Sequence, residues 1–230
     1  MKNKKRSHEM WILLGCAIIC GTLLGCNGDG PGPISNPDPG ENNLHIVAAF
    51  GDSITRGSEC PCTPYPARLA GMIGKDVRNL GIGGSQATAS VGRTKDTIKK
   101  HRPAFMLILY GVNDVIHGQD RNAILGAIQK MVAICKENHV VPVLATYPPP
   151  TREHRIFGGG VERLNNGIRD LARLEGIRLV DLEKEFSVSY DTSQPGRRIP
   201  IADETLYMPD GLHPNDAGTH IMAMAFADLF

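Results

Sequence analysis

The chain has 230 residues, of which 41% are hydrophobic and 21% are charged, an ordinary composition for a globular protein with one complete core. Its formal net charge is +1 at pH 7, and only 5% of its residues are aromatic. Because no basic patch with interleaved aromatic residues is present, the sequence argues against a nucleic-acid partner.

The N-terminus has the pattern of a secretory signal. Four basic residues within the first six positions precede an apolar stretch at residues 10–25, and this order of charge and apolarity is typical of a signal peptide. An uncleaved anchor helix is the alternative. We favour the signal peptide, over residues 1–25, because sixteen apolar residues fall short of the roughly 20 that span a bilayer.

The end of the apolar stretch, Leu23-Leu24-Gly25-Cys26, resembles the lipobox of bacterial lipoproteins. The resemblance implies cleavage before Cys26 and lipidation of that cysteine. Residue 27 is Asn and not Asp, which by the same resemblance favours the outer membrane in a cell with two membranes. We therefore expect a protein anchored in the bacterial cell envelope, facing the periplasm or the outside.

Residues 26–43 are rich in Gly, Pro and polar residues and cannot bury apolar area, so we expect a flexible tether that reaches roughly 20 to 25 Å. Beyond it lie three cysteines, at 60, 62 and 135. In an oxidising compartment one disulfide is expected, but its pairing stays open. The Cys-Pro-Cys segment is interpreted as structural because it lacks the spacing of redox and metal motifs.

From residue 44 to residue 230, apolar runs alternate with helical patterns, which is typical of βαβ units in a single α/β domain. Strands are predicted at 44–50, 76–80, 105–110, 140–147 and 177–182, and helices at 64–74, 93–101, 121–138, 160–175 and 214–228. The third and fourth strands are apolar on both faces, so helices should cover both sides of the sheet. Right-handed crossovers then predict a three-layer α/β/α sandwich of flavodoxin-like type, with five parallel strands in the order 2-1-3-4-5.

Two predicted connections, 148–160 and 184–209, are longer than usual for a compact domain. Connections of this length are commonly functional lids or disordered segments. The sequence does not say what role either one has.

Residues that packing does not require follow the predicted strands. Ser53 follows the first strand, Gly84 the second and Asn113 the third, and Asp210 and His213 precede the last helix. These positions should meet at the carboxyl edge of the sheet. A serine hydroxyl needs a base to become a nucleophile, histidine suits that role, and a carboxylate three residues away can orient the imidazole.

A negative charge that develops on the reacting carbonyl oxygen needs hydrogen-bond donors already in place. The N–H groups of Ser53 and Gly84 and the side-chain amide of Asn113 are the candidates. Glycine at position 84 lets the backbone approach a substrate closely. Asp52 and Asp114 are interpreted as hydrogen-bonding groups that hold turns.

Four blocks of the sequence resemble those of the SGNH, or GDSL, hydrolases in the family's order: Gly51-Asp52-Ser53, Gly84, Gly111-Val112-Asn113-Asp114 and Asp210-Gly211-Leu212-His213. The resemblance implies the SGNH hydrolase fold, with Ser53 as nucleophile, His213 as general base and Asp210 as its orienting acid. It also implies an oxyanion hole formed by Ser53, Gly84 and Asn113. The G-x-S-x-G elbow of α/β-hydrolases is absent because residue 55 is Thr.

The expected function is that of a serine esterase, or lipolytic acylhydrolase, that acts through an acyl-enzyme as a monomer. No metal or organic cofactor is expected, because the remaining histidines are scattered and Gln86 stands where a dinucleotide motif needs glycine. The expected partners are the membrane, through the lipid anchor, and a small-molecule, lipid or glycan ester substrate.

The substrate stays open between two classes of ester. One is an acyl ester of the thioesterase and lysophospholipase type, and the other is an acetylated carbohydrate of envelope polysaccharide or peptidoglycan. A long apolar groove walled by residues 148–160 would favour acyl chains, and a shallow polar one would favour acetyl-sugars. A binding lipoprotein without turnover is the alternative outside the enzymes.

Overall fold

The computed structural model describes residues 38–230. The predicted signal peptide, Cys26 and the tether up to residue 37 lie outside the described residues. Residues 40–42 form a turn immediately before the first strand, and the Asn42 side chain donates hydrogen bonds to the carbonyl oxygens of Asn138 and His139. Among residues 38–230, none of the helices combines the length and apolar character needed to cross a membrane.

A five-stranded parallel sheet forms the centre of the domain, in the order β2-β1-β3-β4-β5. Its strands are β1 (Asn43–Gly51), β2 (Asp76–Asn79), β3 (Pro103–Leu109), β4 (Val141–Ala145) and β5 (Arg178–Val180). The predicted fold class and strand order are confirmed. Because Gly51 pairs with Leu109, the carboxyl ends of β1 and β3 lie side by side.

Eight α-helices surround the sheet in the described part of the chain: α1 (Ser53–Arg56), α2 (Tyr65–Ile73), α3 (Ala87–His101), α4 (Val112–Ile116), α5 (Arg121–Glu137), α6 (Gly158–Glu175), α7 (Leu182–Glu185) and α8 (Asp216–Ala227). Helix α3 packs on α5 and α5 on α6, whereas α2 packs on α8. Right-handed crossovers place these two groups on opposite faces of the sheet. The central strands are therefore buried on both sides, and Val47, Ala48, Leu107 and Leu109 are fully inaccessible.

Helix α3 begins at Ala87, six residues before the predicted start. Its first turns contain Thr, Ser and Gly, which are weak helix formers, and its N-cap residue Gln86 makes no side-chain capping bond. The missing cap comes from Asp114, a residue distant in sequence, whose carboxylate accepts from the N–H groups of Ala87 and Thr88. A local pattern does not reveal such a tertiary contact.

The long connections are more ordered than a plain loop. The first contains a 3₁₀ helix at Arg152–Phe157, and α6 starts at Gly158. The second contains an antiparallel pair of strands, β6 (Ser187–Asp191) and β7 (Ile199–Ala202), and a 3₁₀ turn at Glu204–Leu206. The hairpin was not predicted, because four or five half-exposed residues per strand are too few for a clear alternating pattern.

Cys60 and Cys62 form a disulfide across Pro61, in the connection between α1 and α2. Cys135 is a free, buried residue on α5, and its thiol pKa is raised because of burial. The pairing that the sequence left open is therefore between the two neighbouring cysteines.

Candidate active site

Strand β1 ends in a tight turn that presents Ser53. Asp52 caps α1, and its Oδ1 accepts from the N–H of Ile54 at 3.0 Å. A Cβ atom on Gly51 would lie 2.1 Å from Thr55 Oγ1 and 2.7 Å from the Leu109 carbonyl oxygen. Only glycine fits there, so the chain can pass from strand to helix within one residue and place the serine at the sheet edge.

The structure brings Ser53, His213 and Asp210 into one line of hydrogen bonds. His213 Nε2 lies 2.9 Å from Ser53 Oγ, and His213 Nδ1 lies 2.5 Å from Asp210 Oδ2. The other oxygen of Asp210 accepts from the N–H groups of Leu212 and His213. Partial burial alone would raise the pKa of Asp210, but these hydrogen bonds hold it below its ordinary value, so the carboxylate stays charged beside the imidazole.

The connection after β4 supports the segment that carries Asp210 and His213. The N–H of Thr151 donates to the carbonyl oxygen of Gly211 at 2.7 Å, and His154 Nδ1 lies 2.7 Å from the carbonyl oxygen of Asp210. Gly211 has φ +71°, and a Cβ there would lie 2.5 Å from the Thr151 carbonyl oxygen. The first long connection thus holds the segment that carries Asp210 and His213 in position.

Asn113 and Gly84 lie at the same edge. Asn113 is on α4, directly after β3, and its Nδ2 donates to the carbonyl oxygen of Ser85 at 3.1 Å and to Asp52 Oδ2 at 3.3 Å. The loop around Gly84 is tied to the end of β1, because the N–H of Ile82 donates to the Gly51 carbonyl oxygen. A Cβ on Gly84 would have nothing within 4 Å, so the space beside it is open.

The N–H groups of Ser53 and Gly84 are free to bind a ligand. Within residues 38–230, neither donates to a protein acceptor. Ser53 is itself the first residue of α1, and Gly84 has φ +70°, a left-handed backbone that glycine adopts without strain. Backbone donors of this kind suit a negatively charged oxygen.

Asp114 holds a turn, as its interpretation from sequence proposed. Its two oxygens accept from the N–H of Ala87 at 2.7 Å, the N–H of Thr88 at 3.1 Å and the hydroxyl of Thr88 at 2.9 Å. The carboxylate therefore joins the turn after β3, which carries Asn113, to the start of α3, which follows the Gly84 loop.

Sequence reasoning missed Tyr147, which lies just beyond β4 and is fully buried. Its hydroxyl donates to Asp52 Oδ2 at 2.6 Å. Burial raises the pKa of Asp52 to about 6, although hydrogen bonds from Tyr147 and the Ile54 N–H and the charge of His213 oppose the rise. A tyrosine at the end of an apolar strand is usually a core residue, so no sequence signal marked this contact.

Two cavities flank the 148–160 connection. One, of about 370 Å³, is lined by Val115, Ile124, Ile156, Phe157, Arg163 and Leu164 among others. The second, of about 360 Å³, is lined by Pro149, Pro150, Arg155, Glu162, Arg197 and Ile201 among others. Neither is lined by Ser53, Gly84, Asn113 or His213, so neither is a groove leading directly from the serine. In the part of the chain that the structure describes, no cluster of His, Cys, Asp and Glu side chains suits a metal ion.

Comparison with known proteins assigns the family. The model of the GDSL-like Lipase/Acylhydrolase family matches residues 49–221. A Bacillus subtilis protein named uncharacterized lipoprotein YqeF is 25% identical over 215 residues, which cover 79% of this chain and 88% of that protein.

Solved structures share the fold. A GDSL-like lipase from Bacteroides thetaiotaomicron is 21% identical with a TM-score of 0.65, covering 80% of this chain and 87% of that one. The acetyl xylan esterase AlAXEase is 23% identical with a TM-score of 0.65, covering 80% and 98%. The family match extends over most of the chain and includes Ser53, Gly84, Asn113, Asp210 and His213, and the chain therefore belongs to the GDSL-like lipase/acylhydrolase family.

Proposed function

We propose that this protein is a serine esterase that cleaves carboxylic esters through an acyl-enzyme on Ser53. The observation that carries the proposal is the continuous line of hydrogen bonds from Ser53 Oγ through His213 to Asp210, at 2.9 and 2.5 Å. A hydroxyl in contact with an imidazole, itself held by a partly buried carboxylate, is the arrangement that activates serine.

In the proposed reaction, His213 Nε2 takes the Ser53 proton as Oγ attacks the ester carbonyl carbon. The negative oxygen of the tetrahedral intermediate accepts hydrogen bonds from the N–H groups of Ser53 and Gly84 and from the Asn113 amide. Collapse of the intermediate expels the alcohol, which receives the proton from His213. Water then attacks the acyl-enzyme with His213 again as base, releasing the carboxylic acid and restoring Ser53.

We also propose that the chain is a lipoprotein held at the cell envelope through Cys26. The resemblance of residues 23–26 to a lipobox supports this, as does the name of the Bacillus subtilis relative. The tether would keep the domain near lipids, which favours acyl esters as substrates. In a cell with two membranes we favour the outer membrane, because residue 27 is Asn and not Asp.

Acetylated carbohydrate is the second candidate substrate, and two observations favour it. The space beside Gly84 is open, and the two cavities next to the 148–160 connection are not lined by the residues around Ser53. A small acyl group on a bulky alcohol suits an open site of this kind better than a long acyl chain, which needs an apolar groove.

The test is hydrolysis of p-nitrophenyl acetate, butyrate and decanoate by the full-length protein in mild detergent. Ser53→Ala should abolish turnover, whereas Ser193→Ala, an exposed serine in the β6–β7 hairpin loop, should not change it. A preference for acetate would favour acetylated carbohydrate, and a preference for decanoate would favour acyl esters. Folded protein without turnover on any ester would contradict the proposal and favour a binding lipoprotein.

A further inference from the structure

A buried hydroxyl touches the residue that precedes the nucleophile. The Tyr147 hydroxyl donates to Asp52 Oδ2 at 2.6 Å, and the same oxygen accepts from Asn113 Nδ2 at 3.3 Å. Both Asp52 and Tyr147 are fully inaccessible to solvent. Burial holds the pKa of Tyr147 well above its ordinary value, so the hydroxyl keeps the proton that it donates.

Tyr147 is itself fixed from behind by a chain of polar contacts. The Asn165 side chain accepts from the Tyr147 N–H and donates to its carbonyl oxygen, both at 2.8 Å, and also donates to Glu183 at 2.7 Å. The other oxygen of Glu183 accepts from Arg169 at 2.7 Å. A buried network in which each member is hydrogen-bonded holds its members in one arrangement. The network therefore extends from α6 and α7 to the site of Ser53.

The Asn113 amide has two hydrogens, and both are in use. One is directed to Asp52 and the other to the Ser85 carbonyl oxygen, in the loop that carries Gly84. To donate to an oxyanion, the Asn113 amide must stay in its present plane. The hydrogen that it now donates to the Ser85 carbonyl oxygen must then be donated to the oxyanion instead. The bond to Asp52 is the contact that can keep that plane fixed.

We propose that Tyr147 is a positioning residue of the active site: by donating to Asp52, it holds that carboxylate in place, so that Asp52 can hold the Asn113 amide for the oxyanion. This inference rests on the esterase function proposed above. It assigns no contact with substrate to either Tyr147 or Asp52.

The groups that face Asp52 come from several elements. The Ile54 N–H on α1, Tyr147 after β4 and His213 before α8 favour its charged form, whereas burial and Asp114 on α4 oppose it. Burial raises the pKa of Tyr65 on α2, and the charge of Asp52 adds to that rise. Because the balance leaves the pKa of Asp52 at about 6, losing the Tyr147 hydroxyl should raise this pKa and increase the protonated share at neutral pH.

The experiment measures kcat and KM for p-nitrophenyl acetate from about pH 5 to about pH 9 on full-length Tyr147→Phe. The control is Tyr65→Phe, because Tyr65 is equally buried but its hydroxyl pairs with Thr55 Oγ1 at 3.4 Å and not with Asp52. A third variant, Asp52→Asn, has no carboxylate to titrate. Thermal unfolding of each variant accompanies the kinetics.

For Tyr147→Phe we expect kcat at pH 7 to fall roughly 10- to 100-fold, somewhat less than the loss of an oxyanion donor itself, with KM unchanged. The acid limb of the profile should move to higher pH, so that activity recovers at alkaline pH. Asp52→Asn should lose kcat at every pH without such recovery. Tyr65→Phe should keep the wild-type profile.

Two outcomes would overturn the inference. One is a Tyr147→Phe profile with the wild-type acid limb and kcat. The other is a loss that Tyr65→Phe shares and that follows thermal stability alone, since this would make Tyr147 an ordinary core residue. Failure of the esterase function is recognised separately, because Ser53→Ala would then match the wild type whatever the tyrosine variants do.

Discussion

Replacing Asp114 with alanine tests how the turn after β3 is joined to α3. The substitution removes the acceptor of two backbone N–H groups, at Ala87 and Thr88, and α3 has no other side-chain cap. Ala87 is buried, so its N–H loses its partner without gaining water, at a cost of about 1–3 kcal/mol. Loss of the cap at the more exposed Thr88 adds about 1 kcal/mol. We expect a total loss of about 3 kcal/mol in the free energy of unfolding.

For a domain of this size, such a loss lowers the melting temperature by roughly 6 to 12 °C. Ester hydrolysis should fall as well, because α3 directly follows the loop that carries Gly84. The matched control is Asp120→Ala, which removes the cap of α5 from an exposed position and should cost about 1 kcal/mol without affecting kcat. Thermal and urea unfolding measure both variants. Equal stability of the two variants would refute the argument that burial of the Ala87 N–H sets the cost.

Two further predictions concern the site and the scaffold. Asp210→Asn should lower kcat by up to about 10⁴-fold with little change in melting temperature, because an amide favours the wrong imidazole tautomer; a loss below tenfold in ester hydrolysis would speak against the role of Asp210. Gly126→Ala on α5 should raise the free energy of unfolding by about 0.5–1 kcal/mol, because an added Cβ meets nothing within 4 Å and alanine favours the helix. Urea unfolding measures this gain, and a less stable variant would show that the site is more crowded than described.

The order of the five sheet strands and of the five longer helices followed from the sequence because each of these elements carries its own pattern, whereas the short helices α1, α4 and α7 were not predicted. Strands β3 and β4 are apolar runs bounded by polar residues, and α5 and α6 show helical periodicity long enough to be recognised. That the candidate site residues would lie close together could be predicted for a related reason. Parallel strands all end at one edge of the sheet, so polar residues after successive strands must approach one another, whatever the details of packing.

Other features depend on contacts between distant segments, and only the tertiary structure decided them. Asp114 caps the start of α3 from 27 residues away, and Tyr147 contacts Asp52 across 95 positions. The short β6–β7 hairpin forms within the long predicted connection 184–209. A buried hydrogen bond depends on where two side chains meet in the fold, so it cannot be predicted from the identity of either residue. The sequence alone thus determined which groups reach the sheet edge, and packing decided which of them hold the others in place.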